Sequence, residues 1–230
     1  MPTVLITGAN RGLGLEFCKQ YADLGWDVIA CCRNPDKASD LKTLSQHYKT
    51  IQVEALDVAQ LGQIDALAKK LPGSIDILIN NAGVYGDQGS QGFGHLDYGE
   101  WLNSFTINTL SPMKMAEALL PQIKRGDKKL IVSISSLMGS MADNGSGGSI
   151  LYRSSKAALN ASMLSLSIDL KNQGIGVLIL HPGWVRTDMG GPNGLIDSET
   201  SVSGMCNVIN GFTLAQSGSF VKYDGKPMPW

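Results

Sequence analysis

Thr3-Val4-Leu5-Ile6-Thr7-Gly8-Ala9-Asn10-Arg11-Gly12-Leu13-Gly14 is the stretch that decides the fold of this chain. Thr3–Thr7 is short, apolar and closed by glycine, so it reads as a buried parallel strand. Beyond the glycines, Leu13, Phe17, Tyr21 and Leu24 recur at helical spacing until Gly25 stops them. Glycine permits a sharp turn and lets the backbone approach a pyrophosphate closely. The N–H groups of the helix start then favour its negative charge. The spacing is GxxxGxG rather than the commoner GxGxxG, and its place between an apolar strand and an amphipathic helix gives it weight. Gly8, Gly12 and Gly14 carry the turn, with Asn10, Arg11 and Leu13 as its other members.

The same alternation continues outward. Further strands are expected at Asp27–Cys32, 51–56, 75–80, 130–135, 176–180 and near Phe220. Helices are expected at about 36–47, 60–71, 100–124, 149–172 and 201–216. Two glycine-rich stretches interrupt the rhythm: 83–99, read as a mobile surface flap, and 143–148, read as a flexible loop. Residues 187–200 are expected to form a substrate-side loop, hinge-rich at 189–194 and able to close over a ligand. Strand–helix alternation implies an α/β fold: a doubly wound parallel sheet of Rossmann type, about seven strands with helices on both faces, in a single domain over 1–230. Ligands in such sheets bind beyond the carboxyl ends of the strands, where every motif singled out here lies.

Bulk properties exclude several roles. The net charge is −1 with no basic stripe, which argues against a nucleic-acid partner. Cys18, Cys31, Cys32 and Cys206 show no CxxC spacing and read as buried free thiols of a cytoplasmic protein. With the first strand beginning at Thr3 no leader is expected, and no apolar run of roughly 18 residues is present to span a membrane. No His, Cys or carboxylate cluster has metal-ligand spacing, so no metal is expected; His47, His95 and His181 read as structural.

Tyr152 and Lys156 lie four apart on a predicted helix and so share one face. A phenol ordinarily ionises near ~10, and a neighbouring ammonium lowers that value and makes proton exchange with a substrate oxygen practicable. Ser135 and Ser136 end one strand and offer a hydroxyl to polarise a carbonyl, and Asn80-Asn81-Ala82-Gly83 ends another on the same side. An NAD-selecting protein would place an acid at the carboxyl end of the second strand. Here that end reads Cys31-Cys32-Arg33, and Asp27 is at the wrong end. Arg33, with Arg11 from the glycine turn, suits a 2′-phosphate, so NADP(H) is the expected cofactor.

Taken in order, TGANRGLG (7–14), NNAG (80–83), SSLMG (135–139), YRSSK (152–156) and PGWVRT (182–187) resemble the short-chain dehydrogenase/reductase family over about residues 3–190. The resemblance implies that Tyr152 donates a proton and that Lys156 lowers its pKa and binds the nicotinamide ribose. It implies that Ser136 orients the carbonyl and that Asn108 holds a relay water near the lysine. Asp57, with Val58 beside it, matches the family's adenine contact. Asn81, Ala82 and Gly83 would flank the cofactor, and Pro182, Gly183, Val185 and Thr187 would line its nicotinamide end.

Within the family, SSLMGSMADNGSGG (135–148), YRSSKAALN and the ending YDGKPMPW are similar to the subgroup of sniffer-type carbonyl reductases and the bacterial C-factor. Sixteen positions separate Ser136 from Tyr152, a few more than is usual, and the surplus falls in the DNGSGG loop. The function implied is NADPH-dependent reduction of an aldehyde or ketone. Two alternatives stay open: an NAD(P)+-dependent alcohol dehydrogenase, and a cofactor-binding signalling protein of C-factor type. A homodimer or homotetramer through the helices near 100–124 and 149–172 is the expected assembly.

Overall fold

The computed structural model describes residues 1–87 and 92–230. Seven strands form one all-parallel sheet in the order β3-β2-β1-β4-β5-β6-β7. They are β1 (Thr3–Thr7), β2 (Asp27–Cys32), β3 (Ile51–Ala55), β4 (Ile77–Asn80), β5 (Leu130–Ile134), β6 (Gly176–His181) and β7 (Phe220–Lys222). The helices are α1 (Gly12–Asp23), α2 (Ser39–His47), α3 (Leu61–Lys70), α4 (Tyr98–Phe105), α5 (Ser111–Ala118), α6 (Leu120–Arg125), α7 (Ile150–Leu170) and α8 (Ser198–Asn210). The doubly wound Rossmann-type architecture expected from the strand–helix alternation is the one observed.

Strand residues alternate between the two faces, as a period of two requires. Val4 and Ile6 of β1 pack with Phe17 and Tyr21 of α1, Leu41 of α2 and Met205 and Ile209 of α8. Leu5, between them, packs on the opposite face with Ile64 of α3, Met115 of α5, Ile123 of α6 and Leu159 and Met163 of α7. Each such fully buried aliphatic side chain contributes about 1.5–3 kcal/mol, so register and layer order are set by the same residues.

The helical region expected over 100–124 is broken into three segments. Between α4 and α5, Thr106–Leu110 forms a π-helical turn, closed by the Ser111 N–H on the Thr106 carbonyl. Pro112 is the cause at hand: it lacks the N–H that would otherwise pair with the Asn108 carbonyl, and the widened turn absorbs the loss. The last helix runs Ser198–Asn210 rather than 201–216. Asp197 caps its start by accepting from Thr200 N–H at 2.8 Å, and Leu214–Gln216 is a separate short turn.

The flap expected over 83–99 is corrected in part. Residues 84–87 are packed against α7, and α4 already begins at Tyr98. Residues 88–91 lie outside the described residues. The four cysteines are free and buried. Among the described residues no helix is long and apolar enough to cross a membrane, and no group of three or more His, Cys, Asp or Glu is placed to hold a metal.

Candidate active site

β1 is flanked by β2 on one side and β4 on the other, so the chain winds away from it in both directions and leaves a crevice at the carboxyl ends. A cleft of about 520 Å³ opens there. Its floor is the glycine turn. Gly8 and Gly12 have φ of +67° and +53°, a region that favours glycine, and a Cβ on Gly14 would stand 2.2 Å from the Gly8 carbonyl oxygen. Gly14 is thus the hinge beneath the turn rather than part of its lining. Asn81 props the turn from below, donating through Nδ2 to the carbonyls of Thr7 (2.9 Å) and Gly8 (3.2 Å). The Thr7 hydroxyl accepts in return from the N–H groups of Asn81 and Ala82, both at 3.0 Å. No side chain caps the start of α1, whose N–H groups are left for an anion.

Expected cofactor residues Gly8, Asn10, Arg11, Gly12, Leu13, Arg33, Asp57, Val58, Asn81, Ala82, Gly83, Pro182 and Thr187 line this cleft. Gly183 and Val185 stand apart from the lining. Gly183 takes φ +87° with Ile196 and Tyr223 packed against it, and Val185 is buried in a bridge to Ile196. Sequence reasoning missed Asp40, which lines the same outer end as Arg33, and the partner of Arg11. Arg11 reaches Asp188 at 2.5 Å, an exposed ion pair between residues 177 positions apart. A glycine-lined floor, an uncapped helix start and Arg11 and Arg33 in the lining fit a phosphorylated dinucleotide.

At the inner end Tyr152 and Lys156 line the cleft from α7. Lys156 donates from Nζ to the Ile134 carbonyl at 2.9 Å, and its Nζ stands 5.8 Å from the centre of the Tyr152 ring. Burial pushes the Tyr152 phenol up to about 12; the neighbouring Ser136 hydroxyl pulls it back and Tyr85 adds to the rise. Burial likewise brings Lys156 down to about 8. Nζ is turned to a backbone carbonyl, and withdrawal from water dominates both groups.

Ser136 caps a short turn at Leu137–Gly139, its hydroxyl accepting from Met138 N–H at 3.1 Å. The turn is held from beneath by His181, whose Nδ1 accepts from Leu137 N–H at 3.2 Å. Burial and then Lys222 bring His181 down to about 4, against the opposing pull of Asp143 and Asp224, so the ring is neutral and free to accept. Asn108 sits in the π-helical turn behind the cleft. Its amide is engaged with Val84 N–H (2.9 Å), the Val84 carbonyl (2.8 Å) and the Ser155 hydroxyl (2.9 Å).

The segment after Thr187 is folded back on itself. Thr187 accepts from Gly190 N–H at 3.1 Å, Arg186 donates to the Gly194 carbonyl at 3.0 Å and Trp184 to the Gly190 carbonyl at 2.7 Å. Met189 reaches the cleft, while Trp184 and Leu195 stay exposed beside it.

A family model described as short chain dehydrogenase matches residues 2–194. The C-signal protein of Myxococcus xanthus is 44% identical over 158 residues, covering 69% of this chain and 94% of its own. The carbonyl reductase Sniffer of D. melanogaster superposes with a TM-score of 0.92 at 35% identity, covering all of both chains. An NADPH-bound carbonyl reductase from chicken fatty liver superposes with a TM-score of 0.93 at 32% identity, covering 100% of this chain and 99% of that one.

Proposed function

The chain belongs to the short-chain dehydrogenase family and is an oxidoreductase, and from that premise we propose that it reduces an aldehyde or ketone with NADPH. The observation that carries this is the buried Tyr152 lining the inner end of the cleft, with the Ser136 hydroxyl next to its phenol although Ser135 is the serine among the lining residues. A phenol placed there, on the same helix face as Lys156, can hand its proton to an oxygen bound in the cleft.

Nicotinamide, when bound, supplies the hydride. The chain's own residues do the rest. Ser136 donates a hydrogen bond to the carbonyl oxygen and polarises it. Tyr152 passes its proton to that oxygen as negative charge builds there. Lys156, positively charged below about 8, stabilises the phenolate left behind and takes the ribose hydroxyls. Asn108 holds the backbone of Val84 and the Ser155 hydroxyl, and so the wall next to Gly83; a relay water near Lys156 is its further assigned role.

NADPH rather than NADH is supported by Arg11 and Arg33 among the lining residues and by β2 ending in two cysteines instead of an acid. Asp57 and Val58 would meet the adenine, and Pro182 and Thr187 the nicotinamide. Exposed Tyr98, Leu102 and Ile168 on α4 and α7 fit the expected homo-oligomer.

Tyr152→Phe should abolish NADPH oxidation across a panel of aldehydes, ketones, diketones and quinones while leaving NADPH binding intact. Wild-type-like turnover by that variant would sink the assignment. A second reading, a cofactor-binding signalling protein, is favoured by the likeness to C-signal. Wild-type protein that binds NADPH yet is inert to the whole panel would support it instead.

A further inference from the structure

α7 starts without a cap of its own. Ser149, the residue before it, has φ of +46°, and its side chain caps no N–H of the first turn. Orphan N–H groups at a helix start need a partner, and here the partner lies far upstream. The Asp87 carboxylate accepts from Tyr152 N–H at 2.8 Å and from Leu151 N–H at 3.3 Å. An anion at this end of a helix is also favoured by the helix dipole.

The two residues before Asp87 tighten the hold. Tyr85 and Ser149 share a hydroxyl–hydroxyl bond of 2.6 Å, and the Tyr85 ring lies 4.9 Å from that of Tyr152. Gly86, between them, takes φ +76°, and a Cβ there would stand 2.3 Å from Ser104 Oγ. Only glycine makes the turn that aims both neighbours at α7.

We propose that Asp87 is a positioning residue for Tyr152: it clamps the first turn of α7 to the segment that leaves the 81–83 strip, and so fixes the phenol against Ser136. The inference rests on the reading of Tyr152 as proton donor. Tyr152 is the third residue of its helix, in the turn that frays first, and a misplacement of about 1 Å at a reacting group costs on the order of a hundredfold in rate.

The test compares full-length Asp87→Ala, Asp87→Asn and Tyr152→Phe. NADPH affinity, steady-state rates with the best carbonyl of the panel, and amide exchange at Leu151 and Tyr152 would be measured. Asp87→Ala should lower kcat about ten- to a hundredfold, with the NADPH Kd within about twofold of wild type and faster exchange at both amides. Asp87→Asn keeps an oxygen that accepts from Tyr152 N–H and should recover most of the rate; it also serves if the alanine variant fails to fold. A kcat for Asp87→Ala within about twofold of wild type, with Tyr152→Phe inactive, overturns the clamp alone. An asparagine variant as slow as the alanine one overturns it too. Full turnover by Tyr152→Phe overturns the reading of the site instead.

Discussion

Replacing Lys156 by methionine should make the protein more stable and catalytically dead. Lys156 is 4% exposed, and its burial lowers it from the ordinary 10.5 to about 8. That difference corresponds to about 3 kcal/mol of cost for keeping the ammonium charged inside the fold at neutral pH. Methionine has similar length and carries no charge, but it leaves the Ile134 carbonyl without its 2.9 Å donor, a loss of about 1–2 kcal/mol. The net expectation at pH 7 is a gain of about 1–2 kcal/mol, which is a melting midpoint several degrees higher in a chain of this size.

The sign depends on pH. The unfolded chain holds the Lys156 proton up to 10.5 and the folded chain only to about 8, so between those values the unfolded state binds more protons and wild-type stability rises with pH. The variant has no such group. Its advantage should therefore shrink above about 8 and reverse by 10.5. Urea unfolding of both proteins at pH 7, 9 and 10.5 measures the gap directly, and the ionisation of other tyrosines and cysteines largely cancels in the difference. A variant less stable than wild type at pH 7, or a gap that stays constant with pH, would refute the reasoning.

Three further outcomes follow from the same geometry. Gly14→Ala sets a Cβ 2.2 Å from the Gly8 carbonyl; it should cost about 1–3 kcal/mol in a urea melt and weaken NADPH binding at least about tenfold. His181, brought down to about 4 by burial, contributes stability that is present above 6.5 and lost as pH falls through 4. His181→Gln, whose side-chain oxygen can still accept from Leu137 N–H, should flatten that part of the acid-unfolding curve. Asp188→Asn releases Arg11 from its ion pair. It should leave the melting midpoint nearly unchanged, because exposed pairs contribute little, and should tighten NADPH binding most at low salt, as calorimetric titration would show.

What could be read in the sequence was what short-range chemistry governs. Thr3–Thr7 and Asp27–Cys32 matched to the residue, because an apolar run ended by glycine or a charged residue leaves few other placements. The glycine turn and the Tyr152–Lys156 face were legible for the same reason. The interruption at Thr106–Leu110 has a local signal, Pro112, which the helical period on either side of it masks. Other features depend on residues far apart in the chain. Asp87 capping α7, His181 beneath the Ser136 turn and Asp188 on Arg11 span 44 to 177 positions, and no local pattern announces them. The charges of Tyr152 and Lys156 depend on the whole fold in the same way: spacing shows that two groups share a face, while burial shifts both of them.

The order of the strands also bears on how the protein comes to exist. In the sheet, the β1–β3 half and the β4–β7 half meet at a single pairing, β1 with β4, reinforced by Thr3 N–H on the Asp76 carboxylate 73 positions away. At ordinary rates of synthesis, about 5–20 residues per second, β1 waits roughly 4–15 s on the ribosome before β4 exists to cover its open edge. Parallel pairing of distant segments is slow and exposes apolar edges to aggregation meanwhile. A molecule held across that junction once it has closed, at a hundredfold excess over its Kd, would add about 2.7 kcal/mol to the folded state. Occupancy of the cleft would then bear on how much of the chain stays folded as well as on its chemistry.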